Sequence, residues 1–440
     1  MRTLHFAYFY IKAFGKVGIY VIKVAKFGGS SLANADCIKR AAAIAESDGS
    51  RRYIVVSAPG KMSGNEEKVT DMLISAYNEK GGERKKILYR VIERFEKISK
   101  ELGVRCDVEK IFDMAEETEY DRFISRGEYG AAVIFSKYIS CPMVDAAELI
   151  MFDPSGKLDM DESLKRIFEM SKRVERAVIP GFYGSNGEKI VTFSRGGSDI
   201  SGAIVASAVD ADVYENWTDV DGIMMADPKI INVPRQIKKI TYDRLALLSS
   251  TGATVLHRDA IEPVLEKGVP IQIKNTFSPM NEGSFVVSYE NDENERIAGV
   301  SGKGGCTLLY VRRLPADIPE LLFRLGNVGN GIHLMVCGDS LTAVFTENMN
   351  EQERRELLFS LCSQGCQTAC IEDETAILTV TGKDLTKTGD TASSIKMALD
   401  DSGIRLYGQN IDSVSGNIFF YLDERDLDRA MVRVYNTIKL

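Results

Sequence analysis

Histidine is almost missing from this 440-residue chain: only His5, His257 and His333 occur. Chemistry that leans on imidazole as base or metal ligand has little to work with, and each of the three reads first as an ordinary surface or core side chain. Eight cysteines occur with no Cys-x-x-Cys pair, and their scatter excludes a disulfide framework. Cys362, Cys366 and Cys370 share a helical spacing, but no paired ligand accompanies them, so small buried thiols are the better reading than zinc. A reducing compartment, the cytoplasm, is expected. Positive charge is not in excess either: the net charge of −8 argues against a general nucleic-acid binder. Nor is there a continuous apolar run long enough to span a membrane. The aromatic, basic stretch 1–20 is interrupted by Lys12 and Lys16 and lacks a small-residue cleavage site. It reads as an N-terminal extension, with the natural start expected at Val21. A Walker A loop and a Gly-x-Gly-x-x-Gly turn are both absent. His257-Arg258-Asp259 imitates a protein-kinase catalytic loop, but Val264 stands where the metal-binding Asn would be and no Asp-Phe-Gly follows.

What is present is an ordinary globular composition, 44% hydrophobic and 27% charged, in a chain long enough for two or three domains. Strands are expected at Tyr20–Phe27, Tyr53–Val56, Pro142–Ala146, Ala177–Ile179, Ile190–Phe193 and Asp212–Asn216, alternating with helical stretches. Such alternation implies an α/β layer with a mostly parallel sheet and ligand groups at the strands' carboxyl ends. From about Ile297 the pattern changes to strand, helix, two strands, helix, running from Cys306 to Cys362 with a helix at Pro315–Leu325, and it recurs from Ala376 to Ile438. Four regions are therefore expected: the extension 1–20, a catalytic region 21–290, and two α+β units at 297–372 and 374–440.

The chemistry concentrates in a few turns. Phe193-Ser194-Arg195-Gly196-Gly197-Ser198-Asp199 is a glycine-softened turn carrying a cation, a hydroxyl and a carboxylate ahead of a helix. Lys26 precedes a second turn, Gly28-Gly29-Ser30-Ser31, and Asp219 follows a third strand. Glycine turns at helix starts let backbone N–H groups approach an anion. Two such turns and several cations suit a polyphosphate plus a second anionic substrate. Phosphoryl transfer needs positioning and charge neutralisation more than covalent chemistry. A carboxylate acceptor is already ionised at neutral pH and needs no general base, which fits the scarcity of histidine.

Lys26-Phe27-Gly28-Gly29-Ser30-Ser31, Ser194–Asp199 and Trp217-Thr218-Asp219-Val220-Asp221-Gly222-Ile223 together resemble aspartate kinases of the amino acid kinase family. The C-terminal repeat resembles paired ACT domains. The resemblance implies an amino acid kinase-like sandwich followed by two ACT-like units. It also implies ATP-dependent phosphorylation of the β-carboxylate of L-aspartate, on the route to lysine, threonine and methionine, with Mg2+ accompanying the nucleotide. By that resemblance Lys26 neutralises the transferring phosphoryl group, and Gly28 and Gly29 present backbone donors. Asp199 orients Lys26 or the metal. Arg195 clamps the α-carboxylate of aspartate, Glu128 takes its α-ammonium, Ser57 and Ser63 supply hydroxyls, and Phe182 lines the site. Ser198, Thr218, Asp219, Met224, Lys229, Lys274, Asn275 and Thr276 lie on the nucleotide side; no protein residue is assigned as a dedicated metal ligand. Plainer readings exist: Glu128 as a helix-start carboxylate, Asp219 as a turn residue, Phe182 as core.

Several relatives carry Tyr and Arg where this chain has Met224 and Lys229, and Gln409-Asn410-Ile411-Asp412-Ser413-Val414-Ser415 replaces their usual run in the second ACT unit. Lysine is the expected effector if one acts, and edge-to-edge ACT pairing implies a homodimer or a dimer of dimers. The alternatives are another amino acid kinase, of glutamate or N-acetylglutamate type, and a non-catalytic ACT-type amino-acid sensor.

Overall fold

A short strand, β1 (Lys23–Phe27), sits between two others, β2 (Arg51–Val56) and β4 (Val213–Thr218), and pairs in parallel with both. The computed structural model describes residues 21–62, 66–113, 118–194, 196–252, 260, 262–288, 297–312, 332–337, 340–345, 349–363, 366, 368–382, 385, 390–412 and 416–438. The stretch 1–20, the His257–Asp259 tripeptide and the expected helix Pro315–Leu325 lie outside them. Two compact units divide the chain: residues up to 221 with 260–288, and residues 222–252 with those from 297 onward.

In the first unit, strands run in the order β6-β5-β4-β1-β2-β3, with β3 at Ala177–Pro180, β5 at Ile271–Asn275 and β6 at Ser284–Val287. All neighbours are parallel except β5 with β6. One sheet face meets four helices: α1 (Ala35–Glu46), α2 (Val69–Asn78), α3 (Gly81–Glu101) and α4 (Arg126–Tyr138). Ile38, Ala41, Ala42 and Ala45 form the buried stripe of α1, spaced as one helix face, and the Asn34 side chain caps its start by accepting from the Cys37 amide at 2.9 Å. These residues share a core with Phe27, Ile54, Val56 and Trp217 from the sheet. The other face meets α5 (Gly197–Ala208), which is buried nearly all round. Its Gly202 lies against the Tyr214 ring, where a Cβ would come within 2.5 Å of the hydroxyl.

The expected strand Pro142–Ala146 shrinks to a single bridge, Met143 with Val178. Pro142 has no N–H to give and offers only its carbonyl to Val178, while Asp145 already caps the next helix through the Ala147 amide.

The second unit holds a six-stranded antiparallel sheet in the order β8-β9-β7-β10-β12-β11. Its members are β7 (Ile297–Arg312), β8 (Ile332–Cys337), β9 (Ser340–Phe345), β10 (Thr368–Gly382), β11 (Leu406–Asp412) and β12 (Asn417–Asp423). Helix α6 (Glu351–Ser363) closes one apolar cluster with Leu309, Leu341 and Phe345. Helices α7 (Asp390–Asp401) and α8 (Leu427–Ile438) close another with Val300, Leu378 and Phe420. Strand β7 is thus shared: its first half pairs with the end of β10 and its second half with the beginning. It starts well before the expected Cys306. The run Ser301-Gly302-Lys303-Gly304-Gly305 is part of this strand, and its glycines face side chains closely: a Cβ on Gly302 would lie 2.7 Å from Leu427 Cδ1, and one on Gly304 would lie 2.5 Å from Glu424 Oε1. The ladder bulges between Lys303 and Cys306, where Gly305 takes φ +64°.

In the first unit a buried charge network bridges over β1. Arg51 donates from Nε to Glu215 Oε2 at 2.6 Å, Trp217 Nε1 donates to the same oxygen at 2.9 Å, and Lys23 approaches Oε1 at 3.6 Å. Glu215 is 1% exposed. Removing one partner of a buried pair strands the other, so Glu215→Ala is expected to cost about 3–5 kcal/mol in a denaturant titration. Lys86→Ala, which breaks an exposed pair with Glu83, is expected to leave the unfolding midpoint almost unchanged. Equal costs would show that the network contributes no more than surface charge.

Candidate functional site

Lys26 is a cation in the middle of a buried strand, 6% exposed, and it is held by two partners. Its Nζ lies 2.6 Å from Asp199 Oδ1, in the first turn of α5, and 3.4 Å from Asn216 Oδ1 on β4. Asn216 in turn donates from Nδ2 to the same Asp199 oxygen at 2.8 Å. The three side chains form a closed triangle on the α5 side of the sheet.

The triangle borders a cavity of about 700 Å³ that also touches Gly29, Ser57, Glu128, Phe182, Ser198 and Asp219. Its walls are backbone-rich. The Gly28 amide donates to the Trp217 carbonyl at 2.9 Å, and the Gly60 amide donates to the Gly29 carbonyl at 2.8 Å. Gly29 and Gly60 touch so closely that a Cβ on Gly60 would sit 2.5 Å from the Gly29 carbonyl carbon. On the far wall Gly196 takes φ +62°, opening α5 with its first amides at the cavity. Phe182 holds φ +77°, a conformation that costs a side-chain-bearing residue roughly 1–3 kcal/mol. It is retained by its amide bond to Ser201 Oγ at 3.1 Å and by Gly197, where a Cβ would lie 2.7 Å from the Phe182 ring.

Glu128, in the first turn of α4, is 4% exposed, and its Oε2 has no hydrogen-bond partner. Burial pushes its carboxyl up to about 8, against the pull of the Ala58 amide and its own. A carboxyl so placed has a strong preference for a cation that can enter the cavity.

The remaining expected residues fall in different places. Thr218 donates to the adjacent Asp219 carboxylate at 3.2 Å. Thr276 is fully buried, its hydroxyl paired with Ser31 at 2.7 Å, and Asn275 donates to Asp221 at 2.8 Å. These ties join the ends of β4 and β5 beside the Gly28 turn. Lys274 pairs in register with Trp217, one residue out of phase with Asn216, so its side chain lies on the sheet face opposite Lys26. Its ammonium rests 5.1 Å from the Trp217 ring centroid. Met224 and Lys229 belong to the second compact unit. Arg195 and Ser63 lie outside the described residues.

Sequence reading missed Asn216, Lys61, Lys68 and Thr70, the last three also lining the cavity. Asn216 carried a signal: a polar Glu-Asn pair inside a buried parallel strand is anomalous. Thr70 carried none, since Val69-Thr70-Asp71 reads as the start of any amphipathic helix. Among the described residues, no group of three or more His, Cys, Asp or Glu is placed to hold a metal ion.

Comparison with known proteins agrees with this geometry. The amino acid kinase family matches residues 22–275. Aspartokinase 3 of Bacillus subtilis is 28% identical, covering 94% of this chain and 98% of that one, and the aspartokinase of Rickettsia felis is 24% identical, covering 95% and 99%. Among solved structures, the aspartate kinase of Clostridium acetobutylicum, an allosteric enzyme, superposes with a TM-score of 0.85 at 34% identity, covering 94% of this chain and all of that one. E. coli aspartokinase III, solved with aspartate and ADP, has the same fold at a TM-score of 0.76 and 21% identity, covering 95% and 100%. The chain belongs to the amino acid kinase family, among its aspartate kinases.

Proposed function

We propose that this cavity transfers the γ-phosphoryl group of ATP to the β-carboxylate of L-aspartate, giving 4-phospho-L-aspartate. The observation that carries the reading is the pairing of opposites in one space: a buried carboxyl with one oxygen unpaired, Glu128 Oε2, faces the same cavity as the Lys26–Asp199 pair. An α-amino acid brings the ammonium that Glu128 lacks, and its side-chain carboxylate reaches toward the cation. An N-acetylated acceptor has no such ammonium, which disfavours that alternative. A sensor without catalysis would have no use for a buried lysine aimed at a nucleotide site.

In this reading Lys26 offsets charge on the transferring group, and Asp199 and Asn216 hold its ammonium in place before the nucleotide arrives. The Gly29 amide and the first amides of α5 donate to phosphate oxygens, whereas the Gly28 amide, expected as a donor too, is already given to the Trp217 carbonyl. The acceptor needs no general base, because it enters ionised. Arg195 is assigned to the α-carboxylate of aspartate, with Ser57, Phe182 and Thr70 shaping the acceptor end and Ser198, Thr218 and Asp219 the nucleotide end. Mg2+ typically keeps several waters and binds through one or two carboxylates plus substrate phosphates, so cavity-facing Asp199 and Asp219 are a sufficient protein contribution to a nucleotide-borne ion. When bound, that ion would add charge neutralisation at the phosphates.

The same proposal includes a catalytic region over 21–290 with ACT-like units over 297–372 and 374–440, the latter two sharing β7. An amino acid such as lysine is the proposed effector. E. coli aspartokinase III has been solved with lysine and aspartate together. Association through the sheet edges at β8 and β11 into a dimer or dimer of dimers belongs here too. A cytoplasmic setting accords with the free thiols of the described cysteines. No helix of the described residues is long and apolar enough to cross a membrane.

Aspartyl phosphate traps hydroxylamine, so a hydroxamate assay tests the reaction directly. Aspartate- and ATP-dependent product is expected, with kcat lower by about 100-fold or more in Lys26→Ala and Asp199→Ala, and roughly tenfold lower in Asn216→Ala. Turnover of glutamate in preference to aspartate would overturn the substrate assignment.

Glu128 sets a pH dependence. Below about pH 8 its carboxyl is protonated in the free protein and gives little to an ammonium. The aspartate KM is therefore expected to fall as pH rises toward 8, by up to about tenfold per unit, and Glu128→Gln flattens that slope. Stability runs the other way. The folded pKa lies above the unfolded one, so the stabilising contribution is present at low pH and lost as pH rises through about 8. Glu128→Gln should then raise Tm at pH above 8 by a few degrees while abolishing tight aspartate use. A fall in Tm there would contradict the idea of an uncompensated carboxylate.

A further inference from the structure

Arg94 lies on α3, a helix that supplies no cavity-lining residue, yet its guanidinium reaches three separate backbone segments at the cavity. One Nη2 donates to the carbonyl of Gly60 and to that of Ala33 at 3.0 Å. Nη1 donates to the carbonyl of Glu67 at 2.7 Å. Ala33 ends the turn that begins at Gly28, Gly60 is the middle of the loop after β2, and Glu67 stands just before α2. Lys26, Gly29, Ser57, Lys61, Lys68 and Thr70, which line the cavity, come from these segments or the strands that feed them.

The three carbonyls could not be held by a single-point cation in the same way. A planar fork with five donors in fixed directions matches acceptors on three backbone segments, whereas an ammonium offers one centre. The contact it backs is the tightest in the cavity wall. Gly60 donates to the Gly29 carbonyl, which also accepts from the Leu32 amide at 3.1 Å, and so fixes the peptide plane of the phosphate-side turn. Arg94 holds the carbonyl of the same residue, so the two peptide planes that flank Gly60 are each fixed by one hydrogen bond. One turn earlier Arg90 pairs with the Glu67 carboxylate, but that pair is exposed and adds little.

We infer that Arg94 is a positioning residue for phosphoryl transfer: it clamps the loop after β2 against the glycine turn, setting the distance between the acceptor wall and the phosphate wall. This rests on the aspartate kinase reading of the cavity, and the prediction is a kcat effect. Both substrates still find their own contacts when the clamp is lost, but the reacting groups are no longer held in register, which costs rate more than binding.

The test uses the full chain as wild type, Arg94→Lys and Arg94→Ala, with folding checked by circular dichroism and thermal unfolding. In Arg94→Ala, kcat is expected to fall about tenfold while both KM values change less than about threefold. Arg94→Lys should fall in between, and guanidinium at millimolar concentration should restore part of the alanine variant's rate without affecting wild type. Hydrogen exchange gives a readout independent of turnover: amides within 28–34 and 57–70 should exchange about fivefold faster or more in Arg94→Ala, with β1, β2 and β4 unchanged. Unchanged exchange in those two segments overturns the clamp. Faster exchange with an unaltered kcat overturns its role in the reaction, as does a rate loss that only tracks the folded fraction and resists guanidinium. A wild type inactive on aspartate overturns the proposed activity instead, and the exchange result then decides the clamp by itself.

Discussion

A lysine ammonium buried in the middle of a parallel sheet is the constraint around which this site is built. Such a charge is tolerated only with a carboxylate in contact and hydrogen bonds around it. Asp199 supplies the first and Asn216 the second, at 2.6 and 3.4 Å from Nζ. Asp199 can do so only if α5 begins close against the strand ends, and that placement explains the glycines at its start. Gly196 turns the chain through φ +62°, and Gly197 leaves room for the Phe182 ring. The strained Phe182 backbone is a consequence of the same close approach. It is therefore a cost of placing the carboxylate, offset by the charge pair and by burial of nearly the whole of α5.

The alternation of a strand decides which charges face the cavity and which are enclosed in the core. Along β4, Glu215 and Trp217 face the helices α1 to α4, whereas Asn216 faces α5. On β1, Lys26 shares the face of Asn216, and Phe27 that of Trp217. Two buried charge clusters thus sit back to back across one layer. Arg51–Glu215 ties β2 to β4 over β1 and is saturated, with Trp217 completing the Glu215 oxygen. Lys26–Asp199–Asn216 is open on its cavity side. A one-residue slip of β1 would exchange the two faces and place Phe27 where the ammonium belongs, so register is specified by chemistry as well as by packing. Trp217 joins the two sides: its ring closes the structural core and its carbonyl accepts from Gly28.

Much of this was legible in the sequence because the relevant chemistry is local. Lys26 with its glycine turn, Gly196 to Asp199 and Asp219 each advertise themselves by residue type beside a strand end, Glu128 was reached through the family resemblance, and the fold class follows from the alternation of periods. What was not legible depends on the third dimension. Thr70 and Arg94 sit in helices with unremarkable amphipathic patterns, and only the tertiary path brings them to the cavity or its supporting shell. Lys274, placed on the nucleotide side by the family resemblance, has its side chain sent by the pleat to Trp217, on the face opposite Lys26. The strand expected to begin at Cys306 extends back to Ile297 through Gly302, Gly304 and Gly305 for a related reason. Glycine in sequence usually signals freedom, and here it signals crowding by Leu427 and Glu424.

The site also leaves free energy unspent in the absence of substrate. Glu128 is buried without a counterion at Oε2, and its raised pKa is the expression of that unmet need. A structural carboxyl would be expected to find a partner or be replaced by glutamine. Burial that is unfavourable in the free protein becomes favourable once an ammonium arrives, because the same low-dielectric surroundings that penalise a lone charge strengthen a paired one. Preorganisation and instability are here one property. Lys26 is already paired with Asp199, while Glu128 Oε2 is left open; in the proposed assignment this oxygen is the partner of the acceptor's ammonium, which an anionic nucleotide cannot replace. That asymmetry gives the cavity two chemically different ends, and the proposed orientation of the amino acid, side-chain carboxylate toward the phosphate, follows from it.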